Sequence, residues 1–576
     1  MFTSTRANAS ESRQAKGLKA PRGTTGCPLL LPEAIPAERW IAAGVFAVAC
    51  LYLFGFRRYT TMDPDEGIIL QGAERVLRGE ILYRDFFSFL TPGSYYWLAL
   101  LFRVFGNSFT VARTTLAIYG GFFSVFAYWM ARRVCARWIA LMTAHFVIVS
   151  CLPWRFAVLH NWDSSLWLCA AIYCAVLFVQ RPSAWWAFGA GTNVCLTFLF
   201  EQSKGAGLVV GLLLGFLILA WMQAGVRWLN RRNGLALLAG FAWPLLLTFV
   251  YFVHHHALGL ALTDWIWPLH HYSAVNRVPY GTSDWSDQVR RSLFGSGDPF
   301  QTFFALLAVT PCFVLPALPL IAALALVYWI FAARRGALVP DRAAYYVIVA
   351  STTTGLLLAL VSVRPNVSHF VYFAPLLYLV LAWFVDGSDF PGGVVRAIGP
   401  VLAAIVFVAF SAVGMAFLIA NRDAKSVTDT RRGAVRTPES DGVLSYMQAH
   451  LPSNAKIFVY PYFPLAYYLT ATFSATRYDY LQPGMHTRDQ NEEAIQEIQT
   501  NRTPVVLFEP SFYEKIPASW PNTPVSALAR DPVADYIVRN YHSCVNLMSG
   551  SLSHFSFMVR NGTPCPTDPT RAWFGN

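Results

Sequence analysis

The residues best suited to chemistry in this chain are three carboxylates, Asp63, Asp65 and Glu66, which stand within four positions of one another. The residues that follow have the apolar spacing of an amphipathic helix. The carboxylates therefore belong to a helix N-terminus, where the positive end of the helix dipole stabilises ionised acids. An ionised carboxylate there could accept a proton from a weak nucleophile such as a hydroxyl group. The simpler alternative is a helix cap, a role in which aspartate is common.

The same letters, Asp63-Pro64-Asp65, have the Asp-x-Asp spacing of soluble transferases that hold a nucleotide sugar through a metal ion. We disfavour that interpretation because nucleotide sugars are cytoplasmic, whereas the orientation derived below places this loop outside. No glycine-rich phosphate loop follows a strand, and no Cys-x-x-Cys pair or Cys/His cluster indicates zinc. We expect no metal site and no required cofactor, although a divalent metal is possible.

Further polar residues lie where apolar runs end, and polar groups near membrane depth are costly unless they have a role. Lys204 lies in the turn Glu201-Gln-Ser-Lys-Gly205 and could bind a lipid phosphate as a point charge. The alternatives are a lysine that extends its ammonium group to the interface, or an ion pair with Glu201.

Three other places carry similar groups. Arg364 and His369 lie in a second short turn and could hold phosphate or sugar oxygens, with interface anchoring as the alternative. His160 and Asp163 begin an apolar run and could contact a sugar or supply a second acid, unless Asp163 or its neighbour Asn161 is a plain cap. Arg84 could contact substrate, although an ion pair with Asp85 that fixes the loop is favoured.

A membrane body must position these residues. Of the 576 residues, 55% are hydrophobic and 13% are charged, too few charges to cover a soluble protein of this length. A membrane helix needs about 20 mostly apolar residues. About eleven runs qualify, at 40–56, 110–131, 138–153, 163–180, 185–200, 205–222, 235–253, 303–333, 343–362, 369–386 and 397–420. The run 303–333 is too long for one straight span, and we expect a tilted helix with an interfacial segment or two short helices.

Basic residues predict the orientation of these spans. Residues 1–39 form a basic tail without the features of a signal peptide, which we assign to the cytoplasm. Alternate loops at 131–137, 223–234 and 334–342 are then cytoplasmic, and each carries three arginines. Because the net charge of +12 is distributed over such short loops, it does not indicate nucleic-acid binding. The acidic loop, residues 57–109, and everything after residue 420 should lie outside.

The last 156 residues have a different composition from the body at 40–420. Segments 421–576 alternate between predicted helices at 440–450, 463–470 and 488–500 and strands at 456–460, 504–509 and 554–559, which indicates an α/β domain. The two cysteines of this domain, Cys544 and Cys565, could form a disulfide in an oxidising compartment or remain free thiols.

The order of features in residues 57–106 resembles a known class of membrane enzyme. An acidic pair follows the first span, and then come a short helix, the letters Tyr-Arg-Asp-Phe-Phe, a Pro-Gly pair and a second short helix. This arrangement is similar to the integral membrane glycosyltransferases of the C-type fold, which include protein O-mannosyltransferases, aminoarabinose transferases and, most similar, RgtA-to-RgtD-like transferases. The resemblance implies a polytopic α-helical membrane body with an extracytoplasmic α/β domain. It also implies that Asp65 and Glu66 are catalytic, with Asp63 an additional acid.

The resemblance also implies a reaction. We expect a hexosyl or pentosyl unit to pass from a polyprenyl-phosphate donor to a hydroxyl of a lipid, glycan or protein on the outer side of the membrane. One carboxylate base suffices, because the lipid phosphate is already a good leaving group and needs cations rather than an acid. The basic tail favours a bacterial inner membrane. A lipid or polysaccharide transporter is the alternative, disfavoured because the polar residues cluster at outer ends and no internal repeat is visible. A non-enzymatic assembly factor of the cell envelope has no positive support.

Overall fold

The computed structural model describes residues 31–222, 230–283, 287–295, 297–335, 340–387 and 394–566. Most of the predicted cytoplasmic tail, and Arg227 of the second predicted inner loop, lie outside the described residues. The helices of the body follow one another with two short 3-10 helices, Pro32–Ala34 and Leu152–Arg155, between them. They are α1 (Pro36–Phe54), α2 (Pro64–Leu77), α3 (Gly93–Phe105), α4 (Phe109–Arg132), α5 (Arg137–Ser150), α6 (His160–Gln180), α7 (Ala184–Phe200), α8 (Gln202–Met222), α9 (Arg231–His254), α10 (Leu258–His270), α11 (Tyr272–Asn276), α12 (Asp287–Phe294), α13 (Pro299–Arg334), α14 (Pro340–Val363), α15 (Val367–Val371), α16 (Ala374–Asp386) and α17 (Val394–Asp423).

The protein is an integral membrane protein. Among the described residues, nine helices are long and apolar enough to cross a membrane, and α7 and α16 are shorter apolar helices. Together they correspond one by one to the eleven predicted spans. The two amphipathic helices α2 and α3 lie between the first two spans, as predicted for the acidic loop.

The long apolar run at 303–333 forms the single helix α13, so the expectation of two short helices is wrong. The helix has 36 residues and continues through Pro311, Pro316 and Pro319. At 1.5 Å per residue it is about 54 Å long, well beyond the roughly 30 Å of a hydrocarbon core. A helix of this length crosses a bilayer only if it tilts or extends beyond it, as expected in the first of the two alternatives.

The C-terminal residues form an α/β domain. Its elements are β1 (Ser426–Thr430), β2 (Gly433–Thr437), α18 (Gly442–His450), β3 (Lys456–Tyr460), α19 (Leu465–Thr470), β4 (Phe473–Ser474), α20 (Arg488–Thr500), β5 (Val505–Phe508), α21 (Phe512–Ser519), α22 (Val525–Ala529), α23 (Pro532–Asn540), β6 (Tyr541–Met548) and β7 (His554–Arg560). Strands β1 and β2 pair with each other, and the other five form a sheet in the order β4-β3-β5-β7-β6. Strand β3 is parallel to β4 and β5, while β7 is antiparallel to β5 and β6.

The predicted helices and strands of this domain are all present, but the hairpin β1–β2, strands β4 and β6 and the helices α21–α23 were not predicted. Strand β6 alternates irregularly between buried and exposed residues, because it is an edge strand with a register shift between Ser543 and Val545. Cys544 in this strand forms a disulfide with Cys565, which follows β7.

The acidic loop is packed between the membrane body and the domain. A Cβ on Gly67 of α2 would lie 2.1 Å from the backbone nitrogen of Leu465, so only glycine permits this approach of α2 to α19. Arg75 of the same helix donates to Asp479 at 2.9 Å, with both side chains at least nine-tenths buried. Any arrangement that separates these two buried groups leaves an uncompensated charge, which is costly. The ion pair therefore fixes α2 against the domain. The acidic loop and the C-terminal domain therefore pack together as one unit at the end of the membrane helices.

Candidate active site

The local sequence explains how the acidic cluster is built. Asp63 has extended backbone angles, and its side chain accepts a hydrogen bond from the backbone nitrogen of Asp65 at 3.1 Å, so it is the N-cap of α2. Pro64 at the first helical position has no N–H to satisfy and has the backbone angle that a helix requires. Asp65 then lies in the first turn, where the helix dipole stabilises its ionised form. Asp63 therefore caps the helix, which was the simpler alternative for it, and it also lies next to the Asp65 carboxylate.

Arg155 binds both aspartates. Its Nε and one terminal nitrogen donate to Asp63 at 2.6 and 2.8 Å, and the same terminal nitrogen donates to Asp65 at 2.6 Å. Its other terminal nitrogen donates to the Tyr372 hydroxyl at 3.0 Å. Because a guanidinium is planar and its donors form a fixed fork, this arrangement fixes the orientation of the Asp65 carboxylate.

Tyr462, which follows strand β3 in the domain, donates a hydrogen bond to the other oxygen of Asp65. Burial opposes ionisation of Asp65, but Arg155 and Tyr462 outweigh it and hold the pKa of the carboxyl below its usual range. The side chain is nevertheless 38% exposed. Asp65 is therefore an ionised, accessible carboxylate at neutral pH.

Glu66, the next residue of the same helical turn, is completely buried. Both of its oxygens accept from Arg113, and one also accepts from the backbone nitrogen of Val158 at 2.9 Å. Arg113 in turn donates to the carbonyl oxygen of Tyr59 at 2.5 Å. The geometry does not favour the predicted catalytic role of Glu66, because it is completely buried and lines neither cavity described next.

A groove of about 670 Å³ opens beside Asp65 between helices α8, α10 and α14. One end is polar and includes Asp65, Arg155, His160 and His369. Most of the other lining residues are apolar, among them Phe198, Leu262, Trp265, Ile266, Leu269, Leu356, Ala359, Leu360, Val363 and Phe373. The groove thus combines a polar head with a long apolar wall at the level of the membrane helices.

A second cavity, the cleft, has a volume of about 340 Å³ and lies between the acidic loop and the C-terminal domain. The domain contributes most of its lining, namely Tyr462, Phe463, Glu509, Phe512, Lys515, Ser519, Trp520, Ser551, Ser553 and Phe555. Asp65, Arg155 and Tyr462 line the groove and the cleft alike. Among the residues that the structure describes, Asp65 is the one carboxylate that lines both the groove and the cleft.

Lys204 lies at the polar end of the groove but is already saturated. Its ammonium group has four acceptors within hydrogen-bond distance: Glu201 at 2.9 Å, the carbonyl of Asn161 at 2.8 Å, and the hydroxyls of Ser164 and Ser165 at 2.8 and 3.0 Å. An ammonium group has only three hydrogens to donate. The geometry therefore favours the ion-pair alternative over the predicted phosphate contact.

His160 and His369 both line the groove, as their predicted roles require. His369 contacts the side-chain oxygen of Asn366 through Nδ1 at 2.5 Å. Burial lowers the pKa of His369 to about 3, so the imidazole is neutral at physiological pH and offers a hydrogen bond rather than a charge. His160 is the first residue of α6, and the residue before it, Leu159, occupies the cap position without a side-chain cap.

Three other predicted substrate ligands line neither cavity. Asp163 is buried and accepts from the Tyr119 hydroxyl at 2.9 Å. Arg364 donates to the Asn276 side chain at 3.2 Å and to the carbonyl of Ser519 at 2.8 Å, so it joins its turn to the domain. Arg84 is exposed and pairs with Asp85 at 2.8 Å, the ion pair that was favoured for it. The contacts of these three residues are with neighbouring protein groups, so they favour a structural role beside the site over direct contact with substrate.

Several residues of the two cavities were missed from the sequence, among them Tyr462, whose hydroxyl contacts Asp65 from the domain. Arg155 follows the span 138–153 directly, and its charge at the outer end of an apolar run was a usable signal. Arg277, an exposed residue that lines the groove, was hidden in a long loop. Glu509 and Lys515 of the cleft follow a strand of the domain, and no local pattern distinguishes them.

A divalent metal ion at the acidic cluster would have to share its carboxylate oxygens with Arg155 and Tyr462. Arg155 occupies both oxygens of Asp63 and one of Asp65, and Tyr462 occupies the other oxygen of Asp65. The guanidinium already supplies the positive charge that a cation would supply between two carboxylates. Within the described residues, one group has metal-ligand spacing, His542 with Cys544 and Cys565, and its two sulfurs are joined in the disulfide.

Comparison with known proteins gives the fold. No family model matches the sequence, and no curated protein matches it either. The crystal structure of ArnT from Cupriavidus metallidurans in the apo state superposes with a TM-score of 0.52 at 12% identity, over 91% of this chain and 98% of that chain. An oligosaccharyltransferase from Archaeoglobus fulgidus, in complex with Zn and sulfate, gives 0.50 at 13% identity, over 89% of this chain and 72% of that chain.

The chain has the C-type glycosyltransferase fold. The resemblance noted in the acidic loop therefore extends to the architecture of nearly the whole chain. In this C-type chain the acidic loop, the groove and the cleft converge on Asp65.

Proposed function

We propose that this protein transfers one hexosyl or pentosyl unit from a polyprenyl-phosphate donor to a hydroxyl acceptor at the outer face of the membrane. The observation that carries the proposal is the position of Asp65, an ionised carboxylate that faces an amphipathic groove on one side and a partly aromatic, partly polar cleft on the other. A base for transfer between two substrates needs access to both of them. The C-type fold of the chain supports the same reaction class by analogy.

The groove is suited to the donor. Its apolar wall lies between membrane helices and can bury a polyprenyl chain, while its polar end lies next to Asp65. The phosphate needs a cation, and three cations line the groove: Arg155, Lys204 and Arg277. Arg155 and Lys204 are each bound to carboxylates. Arg277 has no carboxylate partner among the described residues, so we assign the phosphate contact to it.

The reaction follows from this placement. A hydroxyl of the acceptor in the cleft donates its proton to Asp65 and attacks the anomeric carbon of the sugar at the polar end of the groove. The bond between the anomeric carbon and the phosphate oxygen breaks, and the lipid phosphate leaves with the electron pair. Arg277 and the imidazoles of His160 and His369 stabilise the charge that develops on the phosphate. Proton transfer to a positioned base accounts for roughly a 10²–10⁴-fold acceleration.

The same geometry supports the predicted orientation. Glu38, near the start of α1, pairs with Arg132 and Arg137, so the N-terminal end of the body lies with the first predicted inner loop. The acidic cluster lies just beyond the other end of α1. With basic loops on the cytoplasmic side, the active site and the domain at 421–576 face outward, which suits a bacterial inner membrane.

Mass spectrometry of envelope glycolipids and glycoproteins, from cells with and without the protein, tests the proposal. We expect a product in the wild-type cells that is lighter by a single sugar residue in the deletion strain. Purified protein in vesicles should then form the glycosidic bond from a polyprenyl-phosphate sugar. Movement of that lipid across the vesicle membrane with no bond formed would contradict the proposal and support the transporter.

A further inference from the structure

The cleft lies where the domain's own topology places a binding site. Tyr462 comes two residues after β3, and Glu509 comes directly after β5, the parallel neighbour of β3. Ligands of open α/β sheets bind outside the carboxyl ends of their parallel strands. The domain therefore contributes a binding wall to the site.

One part of this wall is aromatic. The rings of Tyr462, Phe512 and Trp520 form a contiguous group, with centroid distances of 6.0 Å from Tyr462 to Phe512, 6.2 Å from Tyr462 to Trp520 and 5.5 Å from Phe512 to Trp520. Trp520 is partly exposed, so the group presents an aromatic surface to the cleft. An aromatic surface of this kind offers apolar contact at little cost in side-chain entropy.

The other part of the wall is polar and carries an ion pair. Lys515 donates to Glu509 and to the hydroxyl of Ser553, both at 2.6 Å. Glu509 is 4% exposed, whereas the Lys515 side chain is 45% exposed. With two of its three hydrogens used by these partners, the ammonium group retains one donor for a ligand, and Ser551 adds a further hydroxyl.

From these two surfaces we infer that the cleft binds a sugar residue, and that the acceptor is therefore a glycan. A sugar ring has an apolar face that packs on aromatic rings and an edge of hydroxyls that suits charged donors and acceptors. The Lys515–Glu509 pair has no net charge, which fits a polyhydroxylated edge better than an isolated anion. This inference rests on the proposed function, because it takes the hydroxyl that attacks the donor from a bound glycan.

Two other acceptor classes fit less well. An acyl chain in the cleft would bury the ion pair of Lys515 and Glu509 against hydrocarbon, which is costly without compensating hydrogen bonds. An extended peptide gains affinity by adding a strand to a free sheet edge. Strand β5 at the cleft is paired with β3 on one side and with β7 on the other. Strand β4 does not extend along the cleft end of β3, but the Val459 N–H there already donates to the Tyr467 hydroxyl.

Saturation-transfer NMR on the full chain in lipid nanodiscs tests the inference directly. The probes are methyl glycosides of glucose, galactose and mannose, and short peptides that contain serine and threonine. The first variant combines Glu509→Gln with Lys515→Met, so that no unpaired charge is left buried, and the second is Trp520→Ala. Lys456→Met is the matched control, because Lys456 is exposed at the opposite end of β3. Thermal unfolding of each variant reports its folding.

We expect at least one glycoside to bind the wild-type protein and the control, with affinity reduced about tenfold in both cleft variants. Loss of one charge-assisted hydrogen bond in the double variant, or of one aromatic contact in Trp520→Ala, produces a change of this order. Glycoside binding that survives both variants, or binding of peptides alone, would overturn the inference. The transfer assay is separate: if the cleft variants lose glycoside binding but no donor is used by the wild-type protein, the proposed function fails while the glycan site stands. If transfer occurs to peptides only, the glycan acceptor fails while the transferase stands.

Discussion

Replacing Tyr462 by phenylalanine tests how the site controls the charge of its base. The hydroxyl of Tyr462 is one of the donors that lower the pKa of Asp65, and it reaches the carboxylate from the domain. Its removal destabilises the ionised carboxylate and leaves the protonated form unaffected. The pKa of Asp65 must therefore rise, and activity must be lost at a higher pH as the solution is acidified.

The magnitude follows from the contact. A hydrogen bond to a charged group contributes about 1.5–3 kcal/mol, and one pKa unit corresponds to about 1.4 kcal/mol. This range would shift the pKa by about one to two units. Because the Asp65 side chain is 38% exposed, water replaces part of the lost contact, and we expect a rise of about one unit.

The assay is the pH dependence of kcat/KM for sugar transfer by purified protein. The acid limb of the wild-type profile should lie below the usual range of an aspartate, and the limb of Tyr462→Phe should lie about one unit higher. Tyr480→Phe is the control, since its ring contacts that of Tyr462 at 5.1 Å but its hydroxyl has no hydrogen-bond partner. Coincident acid limbs in the two variants would refute the argument that Tyr462 holds Asp65 ionised.

Three further predictions concern the surroundings of the base. Glu66→Gln leaves the Arg113 charge buried and uncompensated, so the free energy of unfolding should fall by about 3 kcal/mol and Tm should be lower. Loss of sugar transfer at an unchanged Tm would instead indicate that Glu66 is catalytic. Lys204→Met should lower Tm at neutral pH without raising the KM for the donor. Lys204 helps to hold the pKa of Glu201 at about 2, against its burial, so the Tm difference between the variant and wild type should shrink as the pH falls from about 4.5 towards 2. A donor KM raised at constant Tm would instead support the phosphate contact of Lys204. Chelation with EDTA should leave the rate of transfer unchanged, because Arg155 occupies the carboxylates, and a loss reversed by one divalent ion would contradict this.

The elements that carry the site could be predicted because their signals are local. Hydropathy located all eleven apolar helices, and the spacing of acids, proline and apolar residues located the N-terminus of α2. The C-type fold was implied by the resemblance to a known enzyme class that the order of features along residues 57–106 carries. Strand β6 was missed because an edge strand with mixed burial has no clean alternation.

The partners of the site could not be predicted, because they are distant in sequence. Arg155 is 92 positions from Asp63, and Tyr462 is 397 positions from Asp65. Whether a cation is free to bind phosphate depends on how many acceptors already surround it. Lys204 in a conspicuous turn is saturated, whereas Arg277 in a long loop is paired with no carboxylate of the described part of the chain. Neither the type of a residue nor its position along a span shows whether its charge is already paired in the folded protein.

The most direct test of the account is the rate of sugar transfer by Asp65→Asn protein, which keeps the shape of the side chain but cannot accept the proton. We expect the rate to fall by about a thousandfold, within the range for loss of a general base, while Tm and retention of the polyprenyl-phosphate donor match wild type. Asp85→Asn, in the same loop but outside both cavities, is the control and should retain the wild-type rate. Transfer by Asp65→Asn at a rate close to that of Asp85→Asn would contradict the assignment of Asp65 as the base.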